Sequence, residues 1–293
     1  VVHRVRGNPR VSTGSQGGRL AGKRALVTGA SRGIGAAVAE RLGAEGASVA
    51  IVARTLEAHD RLPGSLAETR TRIESHGTRA AVVVADLTDA DQRAGVVPQA
   101  VEALGGPIDI LVNNAAAAIY SEVATMPLKR RRLMFEANVH APLDLAQAVI
   151  PSMVDAGAGW IVNLTSGSAD PWDGPPFELG VTGSTITVYG ASKAALRRLS
   201  NGLAAELDGS GIRVNAVEPR AAVMSEGAEE LVGGKLREDQ IETMEHMVEG
   251  VVALCDCPEG MTGRTWVSGD IVTELGLAVH ALDGKPMPPD RRP

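Results

Sequence analysis

Aromatic side chains are nearly missing from this sequence: two Phe, two Tyr and three Trp in 293 residues. A chain this long can bury a sizeable core, as one large α/β domain or two small ones. That core must be aliphatic, and a hydrophobic share of 44% supports one built from Val, Leu, Ile and Ala. Cysteine is just as scarce. Cys255 and Cys257 are separated by one residue, and no third Cys exists to complete a zinc site or a disulfide framework. They read as reduced thiols of a cytoplasmic protein. The six His are scattered without metal-ligand spacing. No apolar stretch reaches the roughly 18 residues of a membrane helix. A net charge of −6 argues against nucleic acid as a partner. The basic run Lys129-Arg130-Arg131-Arg132 reads as a solvated helix start.

Acidic residues are absent from positions 1–20, which carry Arg4, Arg6, Arg10 and Arg19 among Gly and Ser. This stretch lacks the apolar core of a secretory signal and the amphipathic spacing of a transit peptide. It is expected to be a flexible arm. Residues 21–280 show no Pro/Gly linker and no internal repeat, which predicts a single domain. The Pro-rich end, 281–293, is expected to be a loose tail.

Short apolar runs alternate with longer helical stretches from Lys23 onward. Strands are predicted at Arg24–Thr28, Ser48–Ala53, Ala80–Ala85, Asp109–Val112, Trp160–Thr165 and Arg213–Val217. Helices are predicted at about Gly33–Glu45, Leu66–His76, Asp89–Leu104 and Val188–Leu207. Leu128–Ala156 reads as one or two helices, with Pro142 at a break or in a first turn. The strands lack polar alternation, as expected of a parallel sheet buried on both faces. The fold class is therefore α/β, a doubly wound parallel sheet of Rossmann type flanked by helices.

Lysine numbers only five and tyrosine two, yet Tyr189 and Lys193 stand four residues apart in Tyr-Gly-Ala-Ser-Lys. On a helix they share a face. An ammonium beside a phenol favours the phenolate and lowers a pKa of about 10. The pair therefore reads as an acid–base group usable near neutral pH. The first strand runs into Thr28-Gly29-Ala30-Ser31-Arg32-Gly33-Ile34-Gly35. Glycines at such a turn let backbone N–H groups approach a pyrophosphate, and the next helix directs its positive end there.

The spacing T-G-x-x-x-G-x-G together with Tyr-x-x-x-Lys resembles the short-chain dehydrogenase/reductase family. The remaining family positions occur in order over about residues 22–270. Asp86, in Ala85-Asp86-Leu87, matches the acid that contacts adenine, and Leu87 is counted with it. Asn113-Asn114-Ala115-Ala116 resembles Asn-Asn-Ala-Gly; Asn114 and Ala115 are assigned to the cofactor, Asn113 to tying strands together. Asn138 and Ser166 match the two further catalytic positions, and Pro219 follows the sixth strand. The resemblance implies a catalytic group of Asn138, Ser166, Tyr189 and Lys193. It implies a nicotinamide cofactor held by Gly29, Ser31, Arg32, Gly33, Ile34 and Gly35, with Tyr189, Lys193 and Pro219 nearer the ring. NAD-preferring relatives carry an acid at the end of the second strand. Here Ala53 stands there, followed by Arg54. With Arg32 in the turn, two guanidinium groups suit a phosphate monoester, so NADP(H) is expected over NAD(H).

The activity implied is hydride transfer between a small-molecule ketone and a secondary alcohol, with Asn138 holding a water that links Lys193 to solvent. The alternatives are a catalytically silent NADP(H)-binding sensor or scaffold, and a family reductase acting on C=N or C=C bonds. The intact catalytic positions favour the enzyme. A homodimer or homotetramer is expected by resemblance. Three departures stand out. Twenty-two residues separate Ser166 from Tyr189, where about a dozen is usual for the family, and they include Trp172 and Phe177. Pro219-Arg220 replaces Pro-Gly, with Met224 and Ser225 where a Thr is common. Residues 221–250 are long, acidic and Met-rich. The first and third departures read as pocket walls or lids, or else as packed surface elements.

Overall fold

Apolar runs with no polar alternation become the strands of a seven-stranded, wholly parallel sheet. The computed structural model describes residues 18–57, 63–177, 179, 183–225 and 240–287. Most of the expected arm, the end of the tail and residues 226–239 of the acidic segment lie outside the described residues.

The strands in chain order are β1 Arg24–Thr28, β2 Ser48–Ala53, β3 Ala80–Val84, β4 Ile110–Asn113, β5 Gly159–Leu164, β6 Ile212–Glu218, β7 Ala222–Val223, β8 Ile241–Glu242 and β9 Thr265–Val267. The main sheet runs β3-β2-β1-β4-β5-β6-β9, and β7 pairs with β8 apart from it. Successive strand residues point to opposite faces. Leu26 of β1 therefore enters one core with Val52, Leu111 and Ile161, while Val27 enters the other with Ile51, Val112 and Val162. Helices α1 Gly33–Ala44, α2 Leu66–Glu74, α8 Met244–Leu254 and α9 Ser268–Glu274 cover the second face. Helices α4 Val96–Leu104, α6 Ala141–Ala156 and α7 Thr187–Glu206 cover the first.

Several expectations are corrected. The helix expected over Asp89–Leu104 divides at Gly95 into α3, Ala90–Ala94, and α4. Leu128–Ala156 is helical as expected: α5 Leu128–Phe135, a π-turn at Glu136–His140, then α6. Pro142 sits in the first turn of α6, where its missing N–H is tolerated. Strand β9 was not anticipated; with three residues it offers too short a pattern to read. The boundary drawn at residue 20 falls inside packed structure, since Leu20 is buried and Arg19 bonds Asp256 at 2.9 Å. Leu282 likewise packs against the core.

The chain winds outward from β1 to β3, then returns to place β4 on the other side of β1. Strand order reverses between β1 and β4, which opens a crevice beyond their C-terminal ends.

Candidate active site

That crevice is built by hydrogen bonds between the two strand ends. The Thr28 hydroxyl accepts from the N–H groups of Asn114 and Ala115, each at 3.0 Å. The Asn114 amide donates back to the Thr28 and Gly29 carbonyls at 2.9 and 3.2 Å. Gly29 has φ +66°, and a Cβ there would lie 2.8 Å from the Ala115 Cα. A side chain at Gly35 would collide with the Asn114 amide and the Gly29 carbonyl. These glycines thus let the first turn, α1 and the β4 turn close together.

The resulting cavity measures about 510 Å³. Ten of the residues expected at the cofactor line it: Gly29, Ser31, Arg32, Gly33, Ile34, Arg54, Asp86, Leu87, Asn114 and Ala115. Gly35, Tyr189, Lys193 and Pro219 do not; Gly35 packs against the Gly29 turn instead. Ser225 lines the cavity, beside Leu133 and Ala137, which the sequence reading missed. Their i, i+4 spacing on one helical face was the available signal. Asp86 accepts from the Thr88 N–H at 3.0 Å and its hydroxyl at 2.8 Å, and Arg54 lies 3.8 Å away. Burial opposes its ionisation, but these bonds and the Arg54 charge hold its carboxyl below the usual range. The Arg54 guanidinium is 73% exposed at the rim.

The four expected catalytic residues come from three places around the end of β5. Ser166 follows that strand, and its hydroxyl accepts from the Ser168 N–H at 3.2 Å. Tyr189 and Lys193 lie one turn apart on α7, as the spacing predicts. The Ser166 hydroxyl is within hydrogen-bonding reach of the Tyr189 phenol. Lys193 is buried, and its ammonium donates to the Leu164 carbonyl at 2.8 Å, 5.9 Å from the centre of the Tyr189 ring.

The Tyr189 phenol shifts in the direction opposite to the one its spacing from Lys193 suggests. Burial, with the neighbouring Tyr120 phenol adding to it, pushes Tyr189 up to about 12 despite the Ser166 hydrogen bond. Burial also depresses Lys193, to about 8. Desolvation outweighs the ammonium because Lys193 is aimed at a strand-end carbonyl.

Asn138 sits on the π-turn, fully buried. Its amide accepts from the Ala117 N–H at 2.8 Å, and donates to the Ala117 carbonyl at 3.0 Å and the Ser192 hydroxyl at 2.9 Å. It therefore ties the loop after β4 to α7, one residue before Lys193. Asn113 donates to Asn163 at 2.8 Å, a strand-to-strand bond as anticipated.

Two departures resolve locally. The Arg220 guanidinium reaches Asp270 at 2.5 Å, and the Arg220 backbone N–H donates to the buried Glu242 at 2.9 Å. The far end of the inserted loop is fastened where the Ser121 N–H donates to the Thr185 carbonyl at 2.9 Å. Beside it, Tyr120 packs on Tyr189, with ring centres 5.9 Å apart. Sequence reading missed Tyr120, whose only signal was the scarcity of tyrosine. Cys255 and Cys257 are buried packing residues, their thiols pushed up by burial. Among the described residues, no helix is long and apolar enough to cross a membrane.

A parallel sheet with a glycine turn at its switch point, and a Ser–Tyr–Lys group after β5 and on α7, defines a doubly wound fold of the nucleotide-binding class. A family model described as short chain dehydrogenase matches residues 23–232, and the chain belongs to that family. It is 34% identical over 283 residues to Hydroxysteroid dehydrogenase-like protein 2 of Danio rerio, covering 93% of this chain and 64% of that protein. The chain thus spans a little less than two thirds of the length of that relative. A short chain dehydrogenase structure from Mycobacterium thermoresistibile is 31% identical with a TM-score of 0.75, covering 92% of this chain and 98% of the other. A 3-oxoacyl (acyl-carrier-protein) reductase from Agrobacterium tumefaciens, solved with NADP bound, is 30% identical with a TM-score of 0.70, covering 85% and 94%.

Proposed function

We propose that this chain interconverts a ketone and a secondary alcohol with NADP(H), as a cytoplasmic homo-oligomer. The observation that carries the reading is the Ser166–Tyr189–Lys193 group in a fold that also builds the glycine-turn cavity. Gly29, Ser31, Arg32, Gly33 and Ile34 would cradle the pyrophosphate, with Asp86 and Leu87 toward the adenine and Asn114 and Ala115 along the middle. A cavity whose floor admits no side chain at Gly29 fits such a group. When bound, the nicotinamide supplies the hydride in reduction and accepts it in oxidation.

The residues of this chain handle the proton. Tyr189 gives its phenolic proton to the carbonyl oxygen as negative charge develops there. Ser166 donates a hydrogen bond to the same oxygen. Lys193 stabilises the phenolate left behind and would hold the ribose hydroxyls. Asn138 keeps the Ala117 loop and the Ser192 turn of α7 in register. Pro219 would border the ring. NADP(H) is favoured because β2 ends without an acid, while Arg32 and Arg54 stand at the cavity. The Agrobacterium reductase, with its bound NADP, adds support by similarity.

The test is loss of NADPH absorbance with a panel of ketones, diketones, quinones, imines and enones, repeated with NADH. Ketone turnover with NADPH is expected. Tyr189→Phe should lose about 10²–10⁴-fold in kcat and still bind NADPH. Equal turnover in that variant would refute the assignment of Tyr189.

A further inference from the structure

The few aromatic residues of this chain are not spread evenly. Trp160 and Trp266 are buried in the sheet, with Arg213 and Arg264 over their rings. The other five are Tyr120, Phe135, Trp172, Phe177 and Tyr189. Of these, Tyr120, Phe135 and Tyr189 come together from three segments: the loop after β4, helix α5, and α7. A third apolar cluster, apart from the two sheet faces, gathers there. Met126, Met134 and Val188 form it, with Ile119, Phe135 and Tyr189 packed against it. Tyr120 stands next to Ile119, partly open to solvent, its ring tilted 59° to that of Tyr189. Burial raises its phenol above the ordinary value.

A carbonyl presented to the Tyr189 phenol would have the Tyr120 ring, 5.9 Å from the Tyr189 ring, as a neighbour. We propose that Tyr120 is a specificity-determining residue: its ring forms one wall of the substrate site, selecting ketones that carry a flat, apolar ring beside the carbonyl. The inference rests on the oxidoreductase reading above and deepens it. Offset and tilted aromatic contacts favour such a ring beyond its area burial, by up to about tenfold in affinity. A polar, ring-free ketone cannot collect that gain. The bond between Ser121 and Thr185 anchors this wall to the inserted loop, so the extra residues there brace the wall.

The test compares acetophenone, a planar aryl ketone, with dihydroxyacetone, a small polar one, using NADPH. The wild-type protein should prefer acetophenone in kcat/KM. Tyr120→Leu keeps apolar packing on Tyr189 without the ring. It should raise the KM for acetophenone by up to about tenfold with a much smaller change for dihydroxyacetone. Tyr120→Phe should restore the wild-type ratio, since the ring and not the hydroxyl does the selecting. NADPH affinity, read by fluorescence, reports that the cavity is intact in each variant. Turnover of both ketones with the Tyr120→Leu ratio unchanged overturns this inference alone, as does a wild-type preference for dihydroxyacetone. Turnover elsewhere in the panel above but none with acetophenone overturns this inference alone; no NADPH oxidation with any ketone of the panel removes the underlying reading, and this inference with it.

Discussion

Tyr189 and Lys193 divide the proton differently from what their spacing suggests. The phenol, pushed up to about 12, stays protonated throughout the working range, while Lys193, depressed to about 8, is charged only below that value. On the proposed mechanism, the phenol is therefore a ready acid for reduction. The charge that must stabilise the phenolate is the group that titrates. Reductive kcat/KM should hold a plateau below about pH 8 and fall above it as Lys193 loses its proton. A pH series of initial rates checks this; a rate that climbs as Lys193 deprotonates would contradict it. Sequence spacing located both groups correctly, because i and i+4 share a helical face whatever surrounds them. It misjudged the direction of the phenol shift because desolvation depends on what packs around the pair, Leu164 and Tyr120 included. Both neighbours lie far from α7 in sequence.

Elements meet closely where α7 crosses the turn after β5. A side chain at Gly190 would run into the Ser168 carbonyl, which is backbone and cannot swing aside. Gly190→Ala should therefore push the Ser166 turn away from Tyr189. We expect a cost of about 1–3 kcal/mol in stability, read by thermal melting, with a marked fall in kcat. Gly202→Ala on the same helix meets only the tip of Arg198, at 3.1 Å, and gains helix propensity. It should leave melting unchanged or raise it. The elements legible from sequence were those with long one-sided or two-sided apolar patterns: β1 to β6, α1, α2 and α7. Among those that escaped, the shortest have no periodic signal of their own. Strand β9 spans three residues and is recruited by β6, the β7–β8 pair spans two each, and the π-turn holding Asn138 is a local widening inside a continuous helix. Ten residues read from contiguous motifs line the cavity, whereas Leu133 and Ala137 carry only an i, i+4 spacing as a signal and Tyr120 meets Tyr189 through tertiary packing alone.

At the scale of the whole molecule, a buried ion pair lies away from the crevice, between α1 and α8. Arg41 and Glu249, each with only 1% of its side chain exposed, pair at 2.9 Å, and Arg41 also bonds Glu45. Removing one member strands a buried charge, whereas replacing both with apolar residues of similar volume relieves the desolvation of each. Arg41→Ala should lose about 3–5 kcal/mol in urea unfolding, and Arg41→Met with Glu249→Met should recover most of it. Glu249 has two further partners: the Arg19 guanidinium at 3.8 Å, and His280, whose N–H donates to it at 3.2 Å. Residues far apart in sequence thus meet at one carboxylate. In mechanical terms the fold is a closed hoop. A pull applied at Arg19 against His280 is expected to load the Arg19–Asp256 and His280–Glu249 bonds before any strand of the sheet is stretched.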